Sequence, residues 1–235
     1  MKKTLPIILA VSCVFFALSC GSVDPGRRFP HMVADVAPFP VGVIEAQFDR
    51  AFSSSLNRAE VEVFFHPRTN SVALQFRHEL VTFRQFWDAA ARLRFAAAFE
   101  QYSQDFAARN LEDRHRRTRA IYGRVDGRVE WESFRFARTR EANPVIELGY
   151  RFRGNSPFFT THMRSARETG NSGSDSLTES RQINMYFTRA QAQVLIDLFN
   201  QDNLMRLLEE KTGRAGGAVP SDDFSLDVWH EEDQF

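Results

Sequence analysis

Repeated two-residue alternation, one long aromatic-rich helical stretch and a closing amphipathic helix predict an α+β fold: one curved antiparallel β-sheet of about 6–7 strands with a long helix and a C-terminal helix packed on one face. The clearest strand is Ile146, Leu148, Tyr150 and Phe152 alternating with Glu147, Gly149, Arg151 and Arg153. One of its faces is apolar and the other polar, as in a sheet covered on one side.

In chain order, Gly21 to Asn57 carries Pro25, Pro30, Pro38 and Pro40 among Gly, Ser and Asp. Proline at that density opposes helix and central strand, so residues 20–57 read as a tether, with Val41 to Phe48 at most an edge strand. The folded domain is assigned to 58–212. Val61, Val63 and Phe65, then Val72, Leu74 and Phe76 across a turn at Pro67 to Asn70, form a hairpin.

Thr82 and Gln85 fit a T-x-x-Q capping box, so a helix is expected from Thr82 to about Asn110. Its apolar residues form two stripes, Phe83, Phe86, Trp87, Ala90, Leu93 and Ala97, then Phe95, Phe99, Tyr102 and Phe106.

Asp126-Gly127 between alternating runs signals a two-residue hairpin that would put Tyr122 opposite Trp131, with a bulge near Glu132-Ser133. Phe159, Thr161 and Met163 return after Gly154 to Pro157, and Ile183, Met185 and Phe187 make the last strand. Thr188 and Gln191 repeat the capping box at the start of a second helix, interrupted near Asp202-Asn203 and ended by Gly213. Residues 213–235 hold six carboxylates after Arg214 and read as a disordered acidic tail.

Charge excludes little. The 235 residues balance 30 basic against 30 acidic side chains, without the basic excess that accompanies nucleic-acid binding, so no nucleic-acid partner is expected. Nearly all positive charge is Arg; beyond Lys2 and Lys3 the only lysine is Lys211.

The first 20 residues set the compartment. Lys2 and Lys3 precede an apolar run from Leu5 to Leu18, too short to span a bilayer as a helix, and Ser19 stands before Cys20. This stretch resembles the signals of bacterial lipoprotein precursors, with Ala17-Leu18-Ser19-Cys20 as a relaxed lipobox. The resemblance covers the signal alone. It implies a signal peptide at 1–19, acylation of Cys20, and a membrane partner held through the lipid anchor. Gly21, where Asp signals inner-membrane retention in some bacteria, favours the outer membrane. Several acyl chains on one residue make a stable anchor at about 0.8 kcal/mol per buried methylene. With Cys13 removed and Cys20 acylated, the mature chain has no free thiol, so thiol catalysis and thiolate metal ligation are excluded.

No catalytic motif stands out. The six histidines are scattered without a metal-ligand spacing, and no nucleophile elbow, P-loop or dinucleotide glycine pattern occurs, so no metal, cofactor or enzymatic activity is expected. Glu130, Glu132 and Arg128 share one strand face and read as surface charge. Arg114, Arg116, Arg117 and Arg119 are the densest basic cluster, a candidate contact for phosphate or lipid headgroups and equally a helix end. The aromatics Trp87, Phe95, Phe99, Tyr102, Tyr122, Trp131, Tyr150 and Phe152 are candidates for an apolar ligand site between helix and sheet, or simply for the core. The expected function is a non-catalytic binding or scaffold module of the cell envelope, with an unknown envelope protein or lipid as partner. A carrier of a lipid or other apolar ligand, and an envelope enzyme without a recognisable motif, are the alternatives.

Overall fold

The computed structural model describes residues 31–49, 55–112, 120–133, 138–170 and 179–215. Cys20, Arg114, Arg116, Arg117, Arg119 and the acidic tail from residue 216 onward lie outside them.

The fold is α+β, with a strongly curled antiparallel sheet and three helices, but the sheet has ten strands rather than the expected 6–7. They are β1 (Phe39–Asp49), β2 (Leu56–His66), β3 (Ser71–His78), β4 (Val81–Trp87), β5 (Ala120–Asp126), β6 (Arg128–Ser133), β7 (Arg140–Ala142), β8 (Val145–Arg153), β9 (Ser156–Met163) and β10 (Ile183–Phe187). The helices are α1 (Ala89–Ala107), α2 (Arg189–Phe199) and α3 (Gln201–Ala215). The strand order is β5-β8-β9-β10-β1-β2-β3-β4-β6-β7.

Three sequence expectations change here. The first concerns the tether. Residues 39–49 form β1, an interior strand between β2 and β10, with Phe39, Ile44, Ala46 and Phe48 buried. Its prolines are tolerated because Pro38 precedes the strand and Pro40 sits at a register shift before Gly42, where a ladder donor is dispensable. Ordered contacts begin earlier still, with Val33 N–H bonded to Pro67 O at 2.9 Å and Asp35 paired with Arg68.

The second concerns the long helix. Val81–Trp87 is strand β4, paired with β3 and β6, and α1 starts only after the N-cap Asp88, whose carboxylate accepts Ala91 N–H at 2.7 Å. Phe83, Gln85 and Trp87 alternate inward, a period of two that the T-x-x-Q pattern at Thr82 masked. The later stripe is the core face of α1, with Phe95, Phe99 and Tyr102 buried while Ala90 and Ala97 are exposed. At Thr188 the capping box forms as read.

The third concerns Asp126-Gly127, which is not a hairpin. Asp126 faces Val145 and Val129 faces Ala142, so β5–β6 and β7–β8 form one continuous ribbon in unchanged register. Gly127 N–H donates to Pro144 O at 2.9 Å within it. Trp131 therefore faces Phe83 and Arg140 rather than Tyr122. Gly127 has no positive φ. A Cβ there would stand 2.6 Å from Ile146 Cδ1, so the Ile146 side chain would have to shift. Nor is there a register shift between β6 and β4 through Ser133.

This ribbon closes the sheet. Its β6 half pairs with β4 and its β8 half with β9, the two strands that would otherwise end the order. Inward side chains form a single core, from Phe48, Phe76 and Phe83 at one end to Phe65, Trp87, Phe159 and Phe187 at the other. There α1 and α2 insert Phe95 and Phe199 among Trp87, Phe159 and Phe187. The outward face carries a polar row in register: Glu62, Gln75, Arg84 and Glu130, joined at 2.8–3.2 Å.

Candidate functional site

The candidate aromatics mark the helix end of the core. Trp87 meets Phe95 at 5.6 Å between ring centroids, Phe99 meets Tyr102 at 6.0 Å, Tyr102 meets Tyr150 at 6.2 Å, and Tyr150 meets Tyr122 at 5.8 Å and Phe152 at 6.2 Å. Trp131 lies in β6, apart from this cluster. Rings at these separations are in van der Waals contact, so they fill the space between helix and sheet.

Their hydroxyls are engaged too. Tyr102 donates to Pro157 O at 3.1 Å, Tyr122 to Asp105 at 2.7 Å, and Tyr150 accepts Glu112 N–H at 3.2 Å. Burial pushes the Tyr102 phenol up to about 12. Burial, reinforced by the Asp105 carboxylate, raises Tyr122 as well. Phenols held neutral in this way fasten α1 and its C-terminal extension to the sheet; they are not primed as bases.

Beyond the rings, α1 ends in an open cleft of about 410 Å³ lined by Phe106, Ala107, Arg109, Leu111, Pro157 and Arg189. The helix terminates with Asn110 N–H bonded to Asp105 O at 2.8 Å, which forces Arg109 into the left-handed region at φ 57°. Glycine is the default there, and an L-residue costs about 1–2 kcal/mol. From the other side Arg189, the first residue of α2, lays its guanidinium 4.0 Å from the centroid of the Phe106 ring. Among the described residues neither Arg109 nor Arg189 reaches a carboxylate. The nearby Asp105 instead accepts the Tyr122 hydroxyl. Two guanidiniums beside Phe106, Leu111 and Pro157 suit an anionic headgroup carrying an apolar chain. No spacing could have announced the pair, because Arg109 and Arg189 are 80 positions apart.

A second, smaller pocket of about 150 Å³ lies between α1 and the α2–α3 corner. Its notable member is Arg92, 4% exposed, on the core side of α1. Elsewhere several carboxylates are paired with arginines. On the outer face Asp49 pairs with Arg153, accepts Asn184 Nδ2–H at 2.6 Å and meets the Tyr186 hydroxyl at 3.1 Å. Glu147, 4% exposed, pairs with Arg164 and Arg124. Glu130 pairs with Arg84 and Arg128, and Glu132 accepts the Thr139 hydroxyl at 2.6 Å, which places them as surface charge. Among the described residues no group of histidine, cysteine and carboxylate side chains gathers as a metal site, and no helix is long and apolar enough to cross a membrane.

No curated protein and no solved structure matches the chain. A family described as "Uncharacterised Treponema protein" matches residues 40–206, from the start of β1 into α3.

Proposed function

We propose that this chain, which belongs to the family of uncharacterised Treponema proteins, is a lipid-anchored cell-envelope protein whose α+β domain binds an anionic amphiphile and performs no catalysis. The observation carrying this reading is the cleft at the end of α1, where Arg109 and Arg189 stand beside Phe106 and Leu111 without a carboxylate partner among the described residues. The cost of holding Arg109 at positive φ, where glycine would relax the chain, supports a role for its side chain. The filled ring cluster favours this open cleft over an enclosed helix–sheet cavity as the place for a ligand.

The anchor is supported by the signal ending at Cys20. Twelve residues separate Cys20 from Val33, the first of the described residues with a long-range backbone hydrogen bond, and the thirteen steps between them reach about 45 Å at full extension. An acylated Cys20 would therefore keep the domain close to the bilayer, within reach of lipid headgroups. The test is calorimetric titration with decyl phosphate below its micellar concentration, against decyl maltoside as the uncharged control. Preference for the phosphate that falls tenfold or more in Arg189→Gln is expected; equal affinity for both amphiphiles refutes the cleft. The anchor is tested separately, since Cys20→Ser should abolish acyl labelling and release the protein from membranes.

A further inference from the structure

Arg92 presents a separate problem of charge. Its guanidinium is buried, yet the acceptors around it are all neutral: Asn70 O at 3.0 Å and Trp87 O at 3.5 Å on Nη1, Asn70 Oδ1 at 3.2 Å and Gln201 Oε1 at 2.6 Å on Nη2. The acid that acts on its charge, Asp88, directs a carboxylate oxygen to the N-cap bond with Ala91. Buried charges are normally paired, because removing an ion from water costs several kcal/mol that neutral dipoles return only in part. Burial accordingly lowers the Arg92 pKa to about 10.

The surroundings are arranged around that charge. Arg92 lines the pocket of about 150 Å³ together with Ala89, Leu93 and Ala96 of α1 and Ile196, Phe199, Asn200, Gln201 and Asp202 from the facing corner, where Asp202 is exposed to solvent. That volume equals roughly five waters at about 30 Å³ each, so the space is molecular but small. Ala89, Leu93, Ala96, Ile196 and Phe199 supply the apolar part of the wall.

We propose that this pocket binds a short-chain organic carboxylate, its carboxylate pairing with Arg92 and its alkyl chain against Leu93, Ala96 and Ile196. Two of the four acceptors on Arg92 are backbone carbonyls and the third is the side chain of Asn70, itself buried. The fourth, the Gln201 amide, belongs to a partly exposed side chain lining the pocket, and its rotation frees Nη2 for a charged acceptor. Exchange of a neutral for an ionised acceptor strengthens the bond and neutralises the buried charge. The small space suits a short chain, which separates this site from the larger open cleft of about 410 Å³. Occupancy would also clamp α1 to the α2–α3 corner, since Arg92 already joins both.

The test is calorimetric titration of the full-length protein with sodium valerate, with 1-pentanol as the uncharged isostere and inorganic phosphate as the chainless anion. Valerate is expected to bind at one site at least tenfold more tightly than either, and to raise the unfolding temperature. Ile196→Trp, which fills the pocket and leaves Arg92 in place, should remove binding while the protein stays folded. Arg92→Met should remove it too, at a cost to α1 packing. Equal affinity for valerate and pentanol, binding of phosphate as tight as of valerate, or retention of valerate by Ile196→Trp would each overturn the proposal.

Discussion

Gly149 in β8 offers the sharpest test of the closed sheet. A Cβ there would lie 1.9 Å from the carbonyl oxygen of Ala120 and 3.2 Å from Ile121 Cα, both main-chain atoms of β5. Carbon–oxygen contacts between neighbouring strands settle at about 3.3–3.6 Å, so Gly149→Ala must drive the two backbones apart by roughly 1.5 Å. Leu148 and Tyr150 hold β8 in the core from both sides, so β5 has to yield. Overpacking against main-chain atoms costs about 2–3 kcal/mol, the upper part of the usual range, and one weakened ladder bond adds about 1 kcal/mol, for a loss of about 3–4 kcal/mol. In a chain of this size that lowers the unfolding temperature by roughly 6–16 °C. Gly123, across the same register shift in β5, is the control: its added Cβ would meet only Leu148 Cδ1 at 3.9 Å. Gly123→Ala should be neutral or gain up to about 1 kcal/mol from a less flexible unfolded chain. Urea unfolding followed by the fluorescence of the buried Trp87 and Trp131 measures both. A Gly149→Ala variant within about 0.5 kcal/mol of the parent, or equal damage from Gly123→Ala, would refute the close β5–β8 approach.

Three further outcomes are expected. Thr188→Ala removes the hydroxyl that accepts Gln191 N–H and should cost about 1 kcal/mol in the same unfolding assay. Arg109→Gly should relax the left-handed backbone at the end of α1, stabilising the protein by about 1 kcal/mol while weakening decyl phosphate binding; a loss of stability would contradict the assigned conformation. Acidification should destabilise in two stages. Burial and the neighbouring arginines hold His66 below 6.5, and burial holds His78 below it, so below pH 6.5 the unfolded chain takes up protons that the folded one refuses. Burial pushes the Glu147 carboxyl up, but hydrogen bonds from Arg164 and Arg124 outweigh it and hold the group below 4.5, so its contribution is lost as pH falls through that lower value. Replacing both histidines with glutamine should flatten the first stage of the urea midpoint against pH and leave the second.

The inward faces of most strands were legible because burial on one side of a strand writes a two-residue period into the chain. Val61 to Phe65, Val72 to Phe76, Ile146 to Phe152 and Ile183 to Phe187 could be read directly, as could the cap at Thr188. Where two local signals competed, only tertiary contacts chose between them. Thr82 to Trp87 carries both a capping pattern and an alternation; pairing with β3 and β6 on either side makes it a strand. Asp126-Gly127 satisfies a turn rule, yet the bond from Gly127 to Pro144 carries the strand straight on. The prolines before β1 argued for a tether until β2 and β10 supplied partners.

The candidate binding residues lay further from reach. The aromatics were visible as a class, but only the ring contacts assign them to the core. The charge of Arg92 and the pairing of Arg109 with Arg189 arise where α1 meets segments about a hundred residues away. The sequence by itself determined which face of most strands leaves water, since that depends on a two-residue period. Which strand pairs with which, and which arginines end without a carboxylate, is decided by non-local packing, because no residue's own neighbours in the chain encode the partner that folding brings to it.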